Sequence, residues 1–486
     1  MYLNRFMETT KQHITDNTAE AERVYALQSP DANLQRVKET SVRNRINKIR
    51  KIEDYLTDEQ HQQEWLDALW KDLHKCKEEA ITTELTPILT CMKHIYDELH
   101  QWVKDQPVDE PWSMAGMKSY IKYEPKGHVM VISPWNYPLQ LALNPVIHAI
   151  AAGNVILLKP SEIAIYTSHF LKKMIDELFE EDDIAVVEGG IPETTALLNK
   201  PFNHIFFTGS PAVGKIVMKA ASQHLTSVTL ELGGKSPVVI DESVNIDKAA
   251  GKVAFGKCMN AGQTCIAPDY VIIHKEEEQA FAKAFGEHVQ AFYNPDGKGV
   301  QTSEEYGRII DDKNFKRIKE LLDDAVQKGA HIALEGEMDE SDKFISPYVL
   351  TNVNHEMEVM QEEIFGPILP VLTYNAIEEV PGLIKKLEKP LALYILSKNK
   401  KNTDYIIENT SAGGTAVNEL MVTSVNPYLP FGGSNFSGIG KSNGKFSFIE
   451  FSNERGVVKR RWGSFKIIYP PYNKRIVGWL SKIAKL

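Results

Sequence analysis

The stretch Asn260-Ala-Gly-Gln-Thr-Cys265-Ile-Ala-Pro-Asp-Tyr270 sets one cysteine among small, turn-forming and hydroxyl-bearing residues. A cysteine that only fills a core usually lies in a periodic apolar run, because its thiol packs like a small hydrophobic group. Cys265 instead follows a glycine, a glutamine and a threonine, and Pro268 comes shortly after it. Nucleophilic thiols are typically presented in this way, so Cys265 is a candidate for covalent catalysis, with a structural thiol as the alternative.

A second motif, Glu231-Leu-Gly-Gly-Lys-Ser-Pro237, lies about thirty residues upstream. In it a glutamate is followed, after one leucine, by two glycines. The two motifs together resemble the signature of the aldehyde dehydrogenase superfamily. Two later motifs, Glu362-Glu-Ile-Phe-Gly-Pro367 and Pro430-Phe-Gly-Gly-Ser-Asn-Phe-Ser-Gly438, resemble motifs of the same family. The resemblance extends from about residue 40 to about residue 472, and it implies oxidation of an aldehyde with a nicotinamide cofactor.

Short apolar runs alternate with segments long enough for helices between residues 127 and 240. The runs are His128 to Ile132, Asn154 to Leu158, Ile184 to Glu188, His204 to Phe207 and Val228 to Glu231. This alternation predicts right-handed crossovers and a mostly parallel sheet, whose carboxyl ends bind ligands. The alternation resumes after Cys265 and predicts a second α/β domain. Helical periodicity dominates the first hundred residues, whose apolar stripes are interpreted as core-facing and without chemistry.

The resemblance implies an α/β fold with three parts: a Rossmann-like NAD(P)-binding domain, an α/β catalytic domain and a projecting oligomerisation strand element. The expected NAD(P)-binding domain comprises residues 1–105 and 126–231, and the expected catalytic domain comprises residues 232–423. Residues 106–125 and 424–465 are expected to form oligomerisation and bridging elements, followed by a basic tail at 466–486. The expected assembly is a homodimer, with a tetramer as the alternative.

The composition is that of an ordinary globular enzyme, with 486 residues, 43% of them hydrophobic, and a net charge of -10. The negative charge argues against binding of nucleic acid by the chain as a whole. No segment approaches the roughly 18 continuous apolar residues of a membrane span, and the first residues lack the basic start and apolar core of a secretory signal. The four cysteines lack metal-ligand spacing. We therefore expect a cytoplasmic protein with reduced cysteines and no metal.

The segment Phe207-Thr-Gly-Ser-Pro-Ala-Val-Gly-Lys215 nearly matches the sequence pattern of a Walker P-loop. Two residues argue against a nucleotide triphosphatase: Ile216 stands where Ser or Thr would hold magnesium, and Pro211 removes a backbone donor. Ser210 can cap the helix that begins at Pro211, and the N-terminus of that helix suits an anion. In the family that the chain resembles, this turn holds the pyrophosphate of the dinucleotide.

Oxidation of an aldehyde needs a nucleophile, a hydride acceptor, an oxyanion clamp and a base, because the aldehyde gives no hydride until a nucleophile has added to it. The resemblance implies that Cys265 is the nucleophile and that Glu231 activates water. It also implies that Asn136, in Ser133-Pro-Trp-Asn-Tyr-Pro138, binds the oxyanion together with the backbone N–H of Cys265. The alternatives are a turn asparagine at 136 and a strand-end surface glutamate at 231.

The resemblance also implies the cofactor contacts. Lys159 and Glu162 would meet the adenosine ribose, and Glu363 with Phe365 would hold the nicotinamide ribose. The remaining expected contacts are Ser133, Trp135, Gly209, Ser210, Gly214, Leu232 and Gly233. A glutamate near the 2'-hydroxyl favours NAD because it repels a 2'-phosphate, whereas Lys159 favours the phosphate. We expect NAD, with NADP as the alternative.

The segment from Pro430 to Arg455, followed by Tyr469-Pro-Pro-Tyr472, resembles the class 3 branch, which acts on medium-chain, long-chain and aromatic aldehydes. The first thirty residues form an extra helical segment with no matching motif. Two alternatives remain at this point: a CoA-acylating relative, and a non-catalytic protein on the same fold. Glu231 argues against the first, since acylating members generally lack that base, and the filled catalytic roles argue against the second.

The tail from Asn473 to Leu486 has the pattern of a basic amphipathic helix. Its apolar side would carry Ile476, Trp479, Leu480, Ile483 and Leu486. Its other side would carry Lys474, Arg475, Ser481, Lys482 and Lys485. This pattern is typical of a peptide that lies in a membrane surface, and it predicts peripheral membrane contact. The alternative is a terminal helix packed on the protein or on a dimer mate.

Overall fold

The computed structural model describes residues 17–463, 469–471, 473–475, 478 and 481. The α-helices within these residues are, in chain order, Thr18–Gln28, Asp31–Lys38, Val42–Thr57, Glu59–Leu73, Lys77–Ala80, Thr86–Trp102, Gln140–Ala152, Ile165–Leu178, Ile191–Leu198, Pro211–Ala221, Ile246–Cys258, Glu278–Tyr293, Asp312–Gln327, Glu358–Gln361, Val380–Ile384, Lys400–Asn409 and Gly444–Glu450. A π-helical turn, Ile81–Leu85, connects the helices Lys77–Ala80 and Thr86–Trp102.

The strands are numbered in chain order. They are β1 (Gln106–Pro107), β2 (Met117–Pro125), β3 (His128–Ile132), β4 (Val155–Lys159), β5 (Ile184–Val186), β6 (His204–Gly209), β7 (Ser227–Leu232), β8 (Pro237–Ile240), β9 (Tyr270–His274), β10 (His331–Leu334), β11 (Met338–Asp339), β12 (Phe344–Ile345), β13 (Tyr348–Thr351), β14 (Ile368–Tyr374), β15 (Ala392–Leu396), β16 (Gly414–Val417), β17 (Gly438–Ile439) and β18 (Ser452–Arg460).

The first large sheet has the strand order β17-β7-β6-β3-β4-β5. Its strands from β3 to β7 pair in parallel, and β17 adds to β7 in the antiparallel direction. Every residue of β3 and β4 is buried, as expected for a parallel sheet with helices on both faces. The parallel sheet that the sequence predicts is confirmed, and the carboxyl ends of β3, β4, β6 and β7 share one edge.

Helix Thr18–Gln28 completes the packing around this sheet. Ala21 and Val24 are buried in the same apolar core as the inner residues of the strands. Gln28 is fully buried, and its side-chain amide donates to the backbone carbonyl of Ile156 at 3.0 Å. The N-terminal segment that carries no motif therefore covers the sheet.

The second large sheet has the strand order β10-β13-β14-β9-β8-β15-β16. All neighbouring strands are parallel except β10 and β13, so the prediction of a second α/β unit is confirmed. The chain leaves the first sheet at Leu232 and enters the second at Pro237. The motif that begins at Glu231 thus lies where the two sheets meet.

A third sheet joins β1, β2 and β18. β2 pairs in antiparallel register with β18, from Ser452 opposite Pro125 to Arg460 opposite Met117. β18 forms an edge of this sheet and most of its side chains are exposed. An exposed edge strand offers unpaired backbone groups to another chain.

None of the helices in the described ranges is long and apolar enough to cross a membrane. In the same part of the chain, no group of three or more His, Cys, Asp or Glu side chains is arranged to hold a metal ion. The predicted amphipathic tail lies largely outside the described residues, including Ile476, Trp479, Leu480, Ile483 and Leu486.

Candidate active site

Cys265 lies in the loop between a short 3-10 turn, Met259–Gly262, and strand β9. Three successive residues of this turn have left-handed backbone: Asn260 at φ 52°, Ala261 at φ 51° and Gly262 at φ 77°. Left-handed backbone costs a non-glycine residue roughly 1–2 kcal/mol. At Gly262 a Cβ atom would lie 2.5 Å from the carbonyl oxygen of Gly366, so only glycine fits. Such strain is typical of functional loops that the surrounding structure holds in place.

Gln263 holds this loop from inside the protein. Its side chain is fully buried, and its amide nitrogen donates to the carbonyls of Asn260 and Arg308, each at 2.9 Å. Its side-chain oxygen accepts from the backbone N–H of Ile310 at 3.0 Å. The sequence pattern gives this residue no role, although a long amide among small residues is the signal that could have revealed it.

Asn136, in the loop after β3, meets the cysteine loop directly. Its side-chain Nδ2 donates to the carbonyl of Gln263 at 3.0 Å, and its own carbonyl accepts from the side chain of Asn260 at 2.8 Å. A side-chain amide nitrogen carries two hydrogens, so one remains to donate to a substrate oxygen. The structure therefore brings Asn136 beside the Cys265 loop, as the oxyanion hypothesis requires.

Glu231 lies near the end of β7, and its side chain is buried. Its Oε1 accepts from the hydroxyl of Ser442 at 2.6 Å, whereas its Oε2 is buried without a partner among the described residues. Burial raises the pKa of Glu231 to about 8, against the lowering effects of Ser442 and Lys441. A carboxyl group with a pKa near neutrality is suited to general base catalysis. The sequence pattern does not indicate Ser442 as its partner.

The thiol of Cys265 is partly buried and faces two carboxyl groups. Its pKa is raised to about 12, first by burial and then by Glu363 and Glu231. The backbone N–H groups of Cys265 and Ile266 lower this pKa, but they do not offset the rise. Burial and the two carboxyl groups therefore favour the protonated thiol, and the sulfur must lose its proton before it can attack.

Glu363 and Phe365 lie in the loop after helix Glu358–Gln361. Both side chains contact residues that follow strands of the first sheet. The Glu363 carboxyl group packs against Gly233, where a Cβ atom would lie 1.9 Å from Oε2. Burial raises the pKa of Glu363 to about 8, and its Oε1 has no partner among the described residues. The ring of Phe365 meets the ring of Trp135 edge-on at 5.2 Å.

A buried ion pair joins this loop to the cysteine loop. Lys235 pairs with Asp269 and donates to the carbonyls of Val359 at 2.9 Å and Glu362 at 3.0 Å. Asp269 also accepts from the backbone N–H of Ile364 at 3.1 Å. Lys235 and Asp269 both belong to the quoted motifs, but the sequence pattern gives neither of them this role.

Lys159 and Ser133 lie together at the adjoining strand ends. Lys159 is the last residue of β4; its Nζ donates to the carbonyl of Pro160 at 2.6 Å and lies 3.7 Å from Oε2 of Glu162. Burial lowers the pKa of Lys159. The backbone N–H of Ser133 donates to the carbonyl of Lys159 at 3.1 Å, and its buried hydroxyl has no partner among the described residues.

The turn after β6 has the cap that the sequence predicts. Gly209 ends the strand, and the hydroxyl of Ser210 accepts from the backbone N–H of Val213 at 3.4 Å. At Gly214 a Cβ atom would lie 2.8 Å from the side chain of Leu232, so the helix that follows approaches β7 closely. The free N–H groups at its N-terminus face the strand edge and suit an anion.

These residues fit a dinucleotide. Ser133 and Glu363 each leave a buried oxygen without a partner among the described residues, and ribose hydroxyl groups could satisfy both oxygens. The helix that begins at Pro211 offers its N-terminus to a pyrophosphate. Every residue predicted for the site therefore lies at the strand edge or in the loops that face it.

Comparison with known proteins is consistent with this geometry. The aldehyde dehydrogenase family model matches residues 3–457, so the match begins before the expected residue 40 and ends before the expected residue 472. The 4,4'-diaponeurosporen-aldehyde dehydrogenase of Staphylococcus aureus is 43% identical over 428 residues, which cover 88% of this chain and 91% of that protein.

Two further comparisons extend this result. The dimeric NADP-preferring aldehyde dehydrogenase of Rattus norvegicus is 42% identical over 407 residues, covering 83% of this chain and 88% of that protein. A solved substrate-bound state of Staphylococcus aureus AldH superposes with a TM-score of 0.89 at 40% identity, covering 95% of this chain and 99% of that chain. The chain therefore belongs to the aldehyde dehydrogenase family and is an oxidoreductase that acts on aldehydes with NAD or NADP.

Proposed function

We propose that the chain oxidises apolar medium-chain, long-chain or aromatic aldehydes to carboxylic acids by covalent catalysis at Cys265. The observation that supports this mechanism most strongly is that the buried carboxyl group of Glu231 lies near enough to the partly buried Cys265 thiol to raise its pKa, and that Oε2 of Glu231 has no partner among the described residues. A carboxyl group with a pKa of about 8 near this thiol is suited to activate water against a thioester on Cys265.

In the first step the Cys265 thiol releases its proton to solvent, and the sulfur adds to the carbonyl carbon of the aldehyde. The carbonyl oxygen becomes an alkoxide, which accepts from the side-chain N–H of Asn136 and the backbone N–H of Cys265. A donor of this kind contributes about 3 kcal/mol to stabilising the transition state. Gln263 holds Asn136 in place, because its carbonyl accepts the other side-chain hydrogen at 3.0 Å.

The cofactor would be held by the residues at the strand edge. Lys159 and Glu162 would bind the adenosine ribose, Ser210 the pyrophosphate, and Glu363 with Phe365 the nicotinamide ribose. NAD or NADP, when bound, supplies the hydride acceptor that leaves a thioester on Cys265. The carboxyl group of Glu363 packs against Gly233, so a residue with a side chain at position 233 would collide with the proposed ribose-binding carboxyl group.

In the second half of the reaction Glu231 takes a proton from water, and the hydroxide adds to the thioester carbon. The C–S bond then breaks, the carboxylic acid leaves, and the Cys265 thiolate is restored. The hydrogen bond from Ser442 at 2.6 Å fixes the direction of the Glu231 carboxyl group. Transfer of the acyl group to water makes CoA unnecessary.

An apolar substrate is supported by the loop that precedes Pro430. Val425, Tyr428 and Leu429 are all exposed within five residues of that loop, and neighbouring exposed apolar side chains are typical of surfaces that bind apolar ligands. Asn443 donates to the carbonyl of Leu429 at 3.2 Å and adjoins Ser442, the hydrogen-bond donor to Glu231. The apolar loop is therefore tied to the residue that orients the base.

The test is NADH formation with straight-chain aldehydes of increasing length, with and without CoA. Each added methylene that is buried contributes up to about 0.8 kcal/mol, so kcat/KM should rise up to about fourfold per carbon until the site is filled. Omission of CoA should change nothing. A strict requirement for CoA, or a kcat/KM that falls with chain length from acetaldehyde onwards, would contradict the proposal.

We propose NAD as the preferred cofactor, because Glu162 would lie near the 2'-position. Glu162→Gln should raise the ratio of kcat/KM with NADP to that with NAD about tenfold, equal to about 1.4 kcal/mol, because a charge that repels the 2'-phosphate is lost. Glu180 precedes β5 and so lies at the amino ends of the parallel strands, whereas Glu162 follows β4 at their carboxyl ends. Glu180→Gln also removes one negative charge, but it should leave the ratio unchanged. An unchanged ratio in both variants would show that Glu162 does not select the cofactor.

We also propose a homodimer that uses residues 106–125 and 424–465. The exposed edge strand β18, within the second segment, supports this assignment. A monomeric mass in light scattering would contradict it.

We propose further that the enzyme is cytoplasmic and touches membranes through residues 473–486. Lys474, Arg475, Lys482 and Lys485 would together gain up to about 4 kcal/mol at an anionic lipid surface. The intact chain should therefore sediment with anionic vesicles at low salt, whereas a variant ending at Tyr472 should stay in the supernatant. Neutral vesicles serve as the control. Equal sedimentation of both chains would assign the tail a structural role instead.

A further inference from the structure

The segment from Lys75 to Leu85, which includes the helix Lys77–Ala80 and the π-helical turn Ile81–Leu85, carries a buried ion pair outside the site at the carboxyl ends of the strands. The side chains of Lys75 and Glu84 are both fully buried, and Nζ of Lys75 lies 2.7 Å from Oε1 of Glu84. Removing two charges from water costs several kcal/mol per ion, so a buried pair is weak evidence for a contribution to stability. Its other contacts indicate what the pair does instead.

The pair holds the loop that carries Asn136 at two points. Nζ of Lys75 donates to the backbone carbonyl of Asn136 at 3.2 Å and lies 4.0 Å from the ring centre of Tyr137. Oε2 of Glu84 accepts from the backbone N–H of Gln140 at 2.8 Å, where the next helix begins. The loop from 136 to 140 is thus fixed at its start by the cation and at its end by the anion.

The same segment also reaches the cysteine loop. Oε1 of Glu79 accepts from the backbone N–H of Asn260 at 2.9 Å, and the Asn260 side chain donates to the carbonyl of Asn136 at 2.8 Å. The Asn136 carbonyl therefore has two donors, one from each side. Glu84 lies in the π-helical turn Ile81–Leu85, and such turns are frequent at functional sites because the extra residue re-aims side chains.

We propose that the Lys75–Glu84 ion pair positions Asn136 for the reaction. Neither side chain touches the reacting atoms; the pair fixes the backbone from which the Asn136 amide donates to Gln263 and to the substrate oxygen. This inference rests on the proposed oxyanion role of Asn136. A displacement of about 1 Å at such a donor can lower a rate about 100-fold.

The test compares two reactions of Cys265 in the variant Lys75→Met/Glu84→Gln. Both charges are removed together, because a single substitution would leave a buried charge unpaired. Aldehyde oxidation should fall about 10- to 100-fold in kcat with KM for NAD within about twofold, because an oxyanion forms in that reaction. Alkylation of Cys265 by iodoacetamide, followed by mass spectrometry, forms no oxyanion and should stay within about twofold. Equal losses in both reactions, or unchanged oxidation, would overturn the proposal.

Asn136→Ala separates this proposal from the function on which it rests. If Asn136 binds the oxyanion, its loss slows oxidation, and adding Lys75→Met/Glu84→Gln should cost less than about twofold more, since the pair acts through the lost side chain. Full activity of Asn136→Ala would refute the oxyanion role itself. Slowed oxidation with independent, multiplying losses would refute only the positioning role. If the double variant does not fold, Glu84→Asp keeps the charge and shortens its reach; it should slow oxidation but spare alkylation, and equal losses would again overturn the proposal.

Discussion

Cys265→Ala leaves less than about one hundredth of the wild-type rate of NADH formation, because removal of a covalent nucleophile abolishes the step that makes the hydride available. Binding of NAD should persist, since Lys159, Ser210 and the strand edge remain in place. The two quantities are measured separately, by NADH absorbance with an aldehyde and by calorimetric titration with NAD. Alanine is smaller than cysteine by only one sulfur atom, so the partly buried loop should keep its shape.

Cys258→Ala is the matched control. Cys258 ends the preceding helix and is buried in the apolar core, and burial raises the pKa of its thiol far above its ordinary value. It should therefore be an inert packing group, and its alanine variant should retain most of the activity with a modest loss of stability. Residual turnover above about one hundredth in Cys265→Ala would refute the assignment of the nucleophile.

Glu231→Gln should divide the reaction into its two halves. The variant should still form NADH in a single-turnover burst, whereas steady-state turnover should fall roughly 100-fold, because water no longer meets a base at the thioester. Rapid mixing with absorbance detection separates the burst from the steady state. A normal steady state would refute the role in deacylation. A lost burst would show that the carboxylate is needed earlier, to take the thiol proton of Cys265.

The pH dependence of turnover is a second measurement that tests Glu231 as the base. The pKa of Glu231 is raised to about 8, so the carboxylate that acts as a base is present above that pH and is lost below it. Steady-state turnover should rise with pH and level off above the inflection, and the inflection should be absent in Glu231→Gln. Ser442→Ala removes the hydrogen bond that lowers this pKa most, so its inflection should move to higher pH. An inflection that stays in place would mean that another group controls the profile.

The parallel sheet could be predicted from sequence because its signal is local, and the positions of the three proposed catalytic residues carry local signals as well. Each apolar run that becomes β3, β4 or β6 is continuous, and the residues that follow these strands reach one edge by the geometry of parallel strands. Asn136 and Glu231 were found in this way, and the family resemblance supplied their roles. Cys265 was found because small residues surround it.

The residues that hold the site in place could not be predicted, because their partners are distant in the sequence. Gln263 contacts Arg308, 45 residues later, and Lys75 contacts Asn136, 61 residues later. The sequence pattern gives neither Lys75 nor Glu84 a role, since periodicity does not reveal which distant residues a charged side chain will contact. The raised pKa of the Cys265 thiol likewise depends on burial and on Glu363, which approach only in the folded chain.

The hydrogen bond between Glu231 and Ser442 joins groups that are 211 residues apart. During synthesis, proteins fold from the N-terminal part first, at about 5–20 residues per second. The parallel strands β3 to β7 and the thiol of Cys265 therefore leave the ribosome several seconds to tens of seconds before Ser442 does, at such rates. Until then the base lacks the partner that sets its direction, so a nascent chain holds its nucleophile without an oriented base. Catalytic competence is thus acquired late in translation, when the glycine-rich loop is complete.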